Sequence, residues 1–239
     1  MNDGSGILNA VKTIGLVLAL GVSMSACSGS KSWKEEVLLH DGQKMVVERY
    51  FNLGPATIES SERPELDETV TFMLPGTNQK VTWKTDFNDF SPDLNDLSIL
   101  LLDVVKSVPY IAARPAGCIG FNKWKRPNPP YILFKYVGKT WKRIPMEEFP
   151  AELTKINVIV GSPPTELLKS FYTIEQVNEQ NQGIRAEGYK TIIRKPFAIE
   201  ENRCPELVQM KGGGWESPGG IKRMIPVAPT QSKDNQNKN

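Results

Sequence analysis

The sequence predicts an α+β fold that is mainly antiparallel sheet built from hairpins, with about two helices. Two observations carry this reading. Short runs rich in Val, Leu, Thr and aromatic residues come in pairs around turn residues, and two further apolar series recur at helical spacing. The chain of 239 residues is 39% hydrophobic and 23% charged, enough for a sizeable core and too apolar for a wholly disordered protein.

Trp33 to Leu39 and Met45 to Phe51 flank His40-Asp41-Gly42-Gln43, an Asp-Gly turn between strand-like runs. Thr69 to Leu74 and Lys80 to Thr85 flank Pro75-Gly76-Thr77-Asn78, where Pro presets one backbone angle and Gly permits another. A helix is expected from Ser91-Pro92 to Val108, with Leu94, Leu97, Leu101, Val104 and Val108 on one side and Pro109 as its stop. Tyr131 to Val137 and Thr140 to Ile144 form a third hairpin, turning at Gly138-Lys139. Ile156 to Val160 reads as a strand, Pro163-Pro164-Thr165 opens a helix running to about Val177, and Tyr189 to Ile193 reads as a late strand. With no domain-sized break in composition, residues 33–228 read as a single soluble domain and 229–239 as a polar, disordered tail.

Residues 1–26 have the form of an export leader: Lys12, then an uncharged, mostly apolar run from Thr13 to Met24, then small residues before Cys27. The run is too short to span a bilayer about 30 Å thick as a helix. Met24-Ser25-Ala26-Cys27 resembles the lipobox of bacterial lipoproteins. That resemblance implies a lipidated (palmitate-bearing) Cys27, a tether over 27–32, and attachment of the chain to a membrane by its acyl chains, since two or more chains anchor stably and one does not. Ser28 after the cysteine implies sorting to the periplasmic face of the outer membrane. With Cys27 acylated, Cys118 and Cys204 remain as an even pair in a compartment that permits disulfides. A bridge between them would close about 86 residues and stabilise by on the order of 4–5 kcal/mol in loop-closure terms, and two separate buried thiols are the alternative.

Few residues invite chemistry. His40 is the lone histidine and sits in a turn, where solvation is its ordinary state. No nucleophile motif, phosphate-binding glycine loop or His-Glu-x-x-His is present, and two cysteines with one histidine lack metal-ligand spacing, so neither cofactor nor metal is expected. The acidic echo Asp86 to Ser91 and Asp93 to Ser98 lacks the sixth-position glycine and distal glutamate of a calcium loop and reads as turn and helix-entry residues. Lys211 to Trp215 reads as a loop pinned by its tryptophan. Trp-Lys pairs at Trp33, Trp83, Trp124 and Trp141 fit strands with the indole inward and the ammonium outward.

Charge distribution is more informative than net charge. Between Val104 and Met146 there is no Asp or Glu, against nine Lys and Arg. Within that stretch Lys123, Lys125, Arg126, Lys135, Lys139, Lys142 and Arg143 interleave with Trp124, Tyr131, Phe134, Tyr136 and Trp141, a candidate surface for an anionic envelope component or an acidic protein. Nucleic acid is not a partner that an exported protein ordinarily meets. A solvated sheet face with core aromatics is the competing account. Trp124 to Pro150 resembles a segment of a group of uncharacterised proteobacterial proteins, over Cys118 to Trp215, which implies no activity and no functional residue. The expected function is a non-enzymatic binding or structural module. A toxin-immunity or hydrolase-inhibitor lipoprotein is the alternative, and an envelope-polymer hydrolase a third reading.

Overall fold

The computed structural model describes residues 29–55, 63–85, 96–198, 204–211 and 214–218. The leader, Cys27, most of the acidic echo and the tail at 229–239 lie outside the described residues. The first sheet takes strands β1 (Gly29–Leu38), β2 (Lys44–Leu53), β3 (Glu65–Met73) and β4 (Lys80–Lys84) as two tight hairpins joined by a β2–β3 pairing. Both hairpins are those expected from Asp41-Gly42 and Pro75-Gly76. Burial alternates along β2: Met45, Val47, Arg49, Phe51 and Leu53 face inward, and Lys44, Val46, Glu48 and Tyr50 face water. Strand β1 begins at Gly29, opposite Leu53, so 29–32 are paired backbone, not the free tether expected over 27–32. The domain likewise starts before residue 33.

The second sheet corrects the reading of a helix from Ser91 to Val108 over its described part, from Asp96 onward; residues 91–95 lie outside the described residues. Strands β5 (Leu97–Val105) and β6 (Val108–Pro115) form a hairpin turned by Lys106 and Ser107, both at positive φ. β7 (Ile132–Val137) and β8 (Thr140–Ile144) complete the order β5-β6-β7-β8 and match the third expected hairpin. β5 reads as a continuous apolar run because both of its faces are covered, so the period-two signature of a half-buried strand is erased. A bulge at Leu100 further disturbs the alternation.

One face of the second sheet packs on the first: Ile99, Leu102, Ile111, Ala113 and Ile132 meet Val37, Val47, Val70, Phe72 and Trp83. The other face, with Leu101, Tyr110, Ala112 and Leu133, is covered by Phe149, Leu153 and Ile192 from segments with little regular structure. Ile156 to Val160, expected as a strand, forms none. Val158 enters the core between the sheets, Ile159 joins a third cluster with Trp33 and Phe51, and Ile156 and Val160 pack on the second. Its backbone makes only scattered bonds to other backbone, the Asn157 amide to the Leu100 carbonyl (3.3 Å) and the Ile156 amide to the Lys190 carbonyl (3.4 Å), and two Asn side chains tie it in place. Asn157 donates to the carbonyls of Leu38 (3.0 Å) and Leu102 (2.8 Å) and accepts from the Leu102 amide (3.0 Å). Asn181 accepts from the Val160 amide (3.1 Å) and donates to the Val158 carbonyl (2.8 Å).

The two helices lie elsewhere than expected. α1 (Gly117–Lys123) follows β6, and α2 (Ile174–Asn181) begins where Thr173 and Gln176 form a reciprocal capping box. Before α2, the helix expected from Thr165 is a single turn at 165–167 followed by β9 (Phe171–Tyr172), parallel to β1. Tyr189 to Ile193 is held by one bridge, Lys155 with Thr191, and by the Tyr131 hydroxyl, which donates to the Gly188 carbonyl (2.6 Å) and accepts from the Ile193 amide (3.1 Å). A last short pair, β10 (Val208–Gln209) and β11 (Trp215–Glu216), lies near the C-terminal end of the described residues. Cys118 and Cys204 are bridged across 86 residues, fastening that end to α1. Asn122 adds a donation to the Pro205 carbonyl (2.9 Å) and an acceptance from the Leu207 amide (3.0 Å).

The third cluster contains a buried ionic group. Arg49, Glu35 and Glu68 are each fully buried. Arg49 donates to Glu35 Oε1 (2.8 Å), to Glu68 Oε1 and to the Ile159 carbonyl (3.0 Å), and its guanidinium lies 5.1 Å and 5.7 Å from the ring centres of Trp33 and Phe51, which stack on one another. Trp33 Nε1 donates to Glu35 Oε2 (2.8 Å). Glu68 Oε2 has no partner among the described residues, and burial pushes this carboxyl up to about 7 against the pull of Arg49.

Candidate functional site

The hairpin of β7 and β8 distributes its cations by strand parity. Lys135 stands directly opposite Lys142, on the face shared with Leu133 and Ile144. Arg143 pairs with Phe134 on the other face, its guanidinium 5.3 Å from the Trp124 ring. The seven cations expected to form one patch are therefore divided. Lys123 is bound to Asp96 (2.8 Å), and Arg126 donates to the Cys204 carbonyl (3.1 Å) and stacks on Phe121. Lys125 lies in the turn after α1 at positive φ, off any strand, so the alternation expected of Trp-Lys pairs holds at Trp33, Trp83 and Trp141 but not at Trp124.

What remains together is a lysine-bearing end of the second sheet. Lys139 lies in the β7–β8 turn and Lys106 in the β5–β6 turn, and both turns lie at the end where Tyr110 pairs with Lys135. None of Lys106, Lys135, Lys139 and Lys142 has an ion pair among the described residues. Lys135 Nζ lies 5.9 Å from the centre of the Tyr110 ring. Like charges directly opposite on neighbouring strands repel, and without a counterion this end attracts anions.

A cavity of about 540 Å³, lined by none of these lysines, lies between the end of β1, the middle of β5, residues 152–157 and α2. His40 and Asp103 line it: the histidine lies in an exposed turn, as expected, but its ring is held by a buried carboxylate. Asp103, 4% exposed, accepts from the His40 amide (2.8 Å) and the Val104 amide (2.7 Å), and its Oδ1 lies 2.7 Å from His40 Nδ1. That carboxylate raises the imidazole above its ordinary value, chiefly through this side-chain hydrogen bond. Burial pushes Asp103 upward while its hydrogen bonds, led by that with the His40 ring, pull it down. The His40 ring nitrogen and two backbone amides converge on this carboxylate and offset part of what burial does to it. Sequence reasoning missed the pair because the two residues are 63 positions apart.

The pair can orient an imidazole and move a proton at its outer nitrogen. The cavity lining also carries Glu36, Glu152 and Lys155, but its hydroxyl side chain is Thr154, with no Ser or Cys to serve as nucleophile. Among the described residues no group of three or more His, Cys, Asp and Glu is placed to hold a metal ion. No protein-family model matches the chain, and comparison with curated proteins and with solved structures likewise finds no match, so no functional residue comes to this chain from a relative.

Proposed function

We propose that this chain is a lipid-anchored binding module of the bacterial envelope, attached through Cys27 to the periplasmic face of the outer membrane, that engages an anionic partner with the lysine end of its second sheet. The observation that carries the binding half is the register of Lys135 with Lys142, flanked by the turn lysines Lys106 and Lys139 and lacking counterions among the described residues. The Cys118–Cys204 bridge supports an oxidising compartment. Charges on the edge strand β8 also discourage edge-to-edge pairing, which Lys142 does whether or not a ligand binds.

Binding that rests on these ammonium groups weakens with salt. The test is retention on envelope fractions from cells lacking the protein, across a salt series, with the double variant Lys135→Glu and Lys142→Glu. Loss of most of the salt-sensitive retention is expected. Unchanged retention removes the lysine end from the function. Mass analysis of the native protein tests the anchor separately, since an acylated Cys27 as the first residue is required.

A further inference from the structure

We infer that the end of the first sheet carrying Gly29 rests on the phospholipid surface, with Leu167 and Phe171 as apolar contacts set into the headgroup layer. This rests on the reading of Cys27 as the acylated residue. Two peptide units separate Cys27 from Gly29 and span at most about 7 Å. Gly29 is fixed by its pairing with Leu53, so acyl chains on Cys27 bring this end of the sheet to the bilayer.

The apolar side chains at that end are held outward. β9 runs parallel to β1, with Phe171 beside Lys34 and the Lys34 amide donating to the Ser170 carbonyl (3.0 Å), so the residues before β9 lie along the N-terminal half of β1. Lys31 Nζ donates to Ser162 Oγ (3.1 Å), tying the start of the same segment to β1. Leu168 packs on the third cluster, whereas Leu167 is 65% exposed, the largest exposure among the large apolar side chains described, and Phe171 is 40% exposed. Tyr172 sets this arrangement: its hydroxyl accepts from the Lys169 amide (3.0 Å) and donates to the Leu167 carbonyl (3.4 Å). Lys34 and Lys169 are exposed beside the two apolar residues and suit anionic phospholipid headgroups, against the exposed Glu166.

The experiment places a nitroxide on Leu167→Cys in the full acylated chain, whose other cysteines are occupied by lipid and by the disulfide. A second label at Asp41→Cys marks the exposed turn at the far end of β1, about 30 Å away along the strand. In vesicles of phosphatidylethanolamine and phosphatidylglycerol, paramagnetic relaxation by oxygen relative to a water-soluble nickel complex should be several-fold greater at 167 than at 41. Equal, water-like ratios at both positions in protein that floats with the vesicles overturn the seating and leave the anchor intact. Protein that does not float and carries an unmodified Cys27 overturns both.

Discussion

The ionic group of Arg49, Glu35 and Glu68 makes a prediction in which two substitutions at one place act in opposite senses. Arg49→Met removes the cation from between two carboxylates that are each fully buried. Breaking a buried pair by deleting one partner typically costs about 3–5 kcal/mol, because the remaining charge is unpaired. In a domain of this size each 1 kcal/mol shifts the midpoint by about 2–4 °C, so a fall of roughly 10 °C is expected. Glu68→Gln keeps an acceptor for Arg49 and lets the guanidinium balance Glu35 alone. It should therefore cost little at pH 8 or raise stability. The sign of the pH dependence follows from burial: Glu68 titrates near 7 in the fold and near 4.5 when exposed. Between those values the folded state holds more protons, so this group's contribution to stability rises as pH falls from about 7.5 to 4.5, by on the order of 3 kcal/mol. Urea unfolding followed by tryptophan emission, with Trp33 stacked on Phe51 beside Arg49, reads both effects. An Arg49→Met protein as stable as wild type, or a pH slope in this window that Glu68→Gln leaves intact, refutes the reasoning.

Three further outcomes are expected. Asn157→Ala removes three side-chain hydrogen bonds that join Leu38 to Leu102 and should cost about 2–4 kcal/mol, with faster amide exchange at Leu102, whereas an unchanged midpoint in thermal melts would mean water replaces the amide. Replacing Cys118 and Cys204 together by Ser should lower unfolding free energy by up to about 4–5 kcal/mol, read by denaturant titration, and reduction of the wild type should reproduce it. Because Asp103 holds His40 above its ordinary value, the stabilisation from that pair is fully present below about pH 6.5 and is lost as pH rises through the folded value. Thermal midpoints across that window should lose this component in His40→Gln, and an identical pH profile would remove the imidazolium from the pairing.

The hairpins were legible because their turn chemistry is local: Asp41-Gly42 and Pro75-Gly76 lie between runs of alternating burial, and Gly138-Lys139 lies between two short runs rich in aromatic residues. The β5–β6 hairpin was not, since Lys106-Ser107 is an ordinary pair forced to positive φ and the flanking run is apolar on both faces. α2 carried a readable signal, Thr173-Ile-Glu-Gln176, that the apolar spacing upstream obscured. At the candidate site, Lys135 with Lys142 follows from hairpin register. Arg143 was misplaced with them although neighbouring residues on a strand point to opposite faces. The partner of His40 comes from a strand 63 positions away, and those of Arg49 from β1 and β3, which flank β2, through side-chain reach that local sequence does not encode.

Acylation at Cys27, only two residues before β1, has a kinetic corollary if the proposed anchor holds. A flexible linker of n residues lets a tethered domain roam about 5–6 Å times the square root of n, so two residues confine it to within about a nanometre of its attachment point. An acylated form of this protein would sweep a thin layer parallel to the bilayer and would not fish through the periplasm. Its encounters would then be set by lateral diffusion and by how close the other molecule comes, and inserting a long Gly-Ser spacer after Ser28 would widen that search at the expense of local concentration.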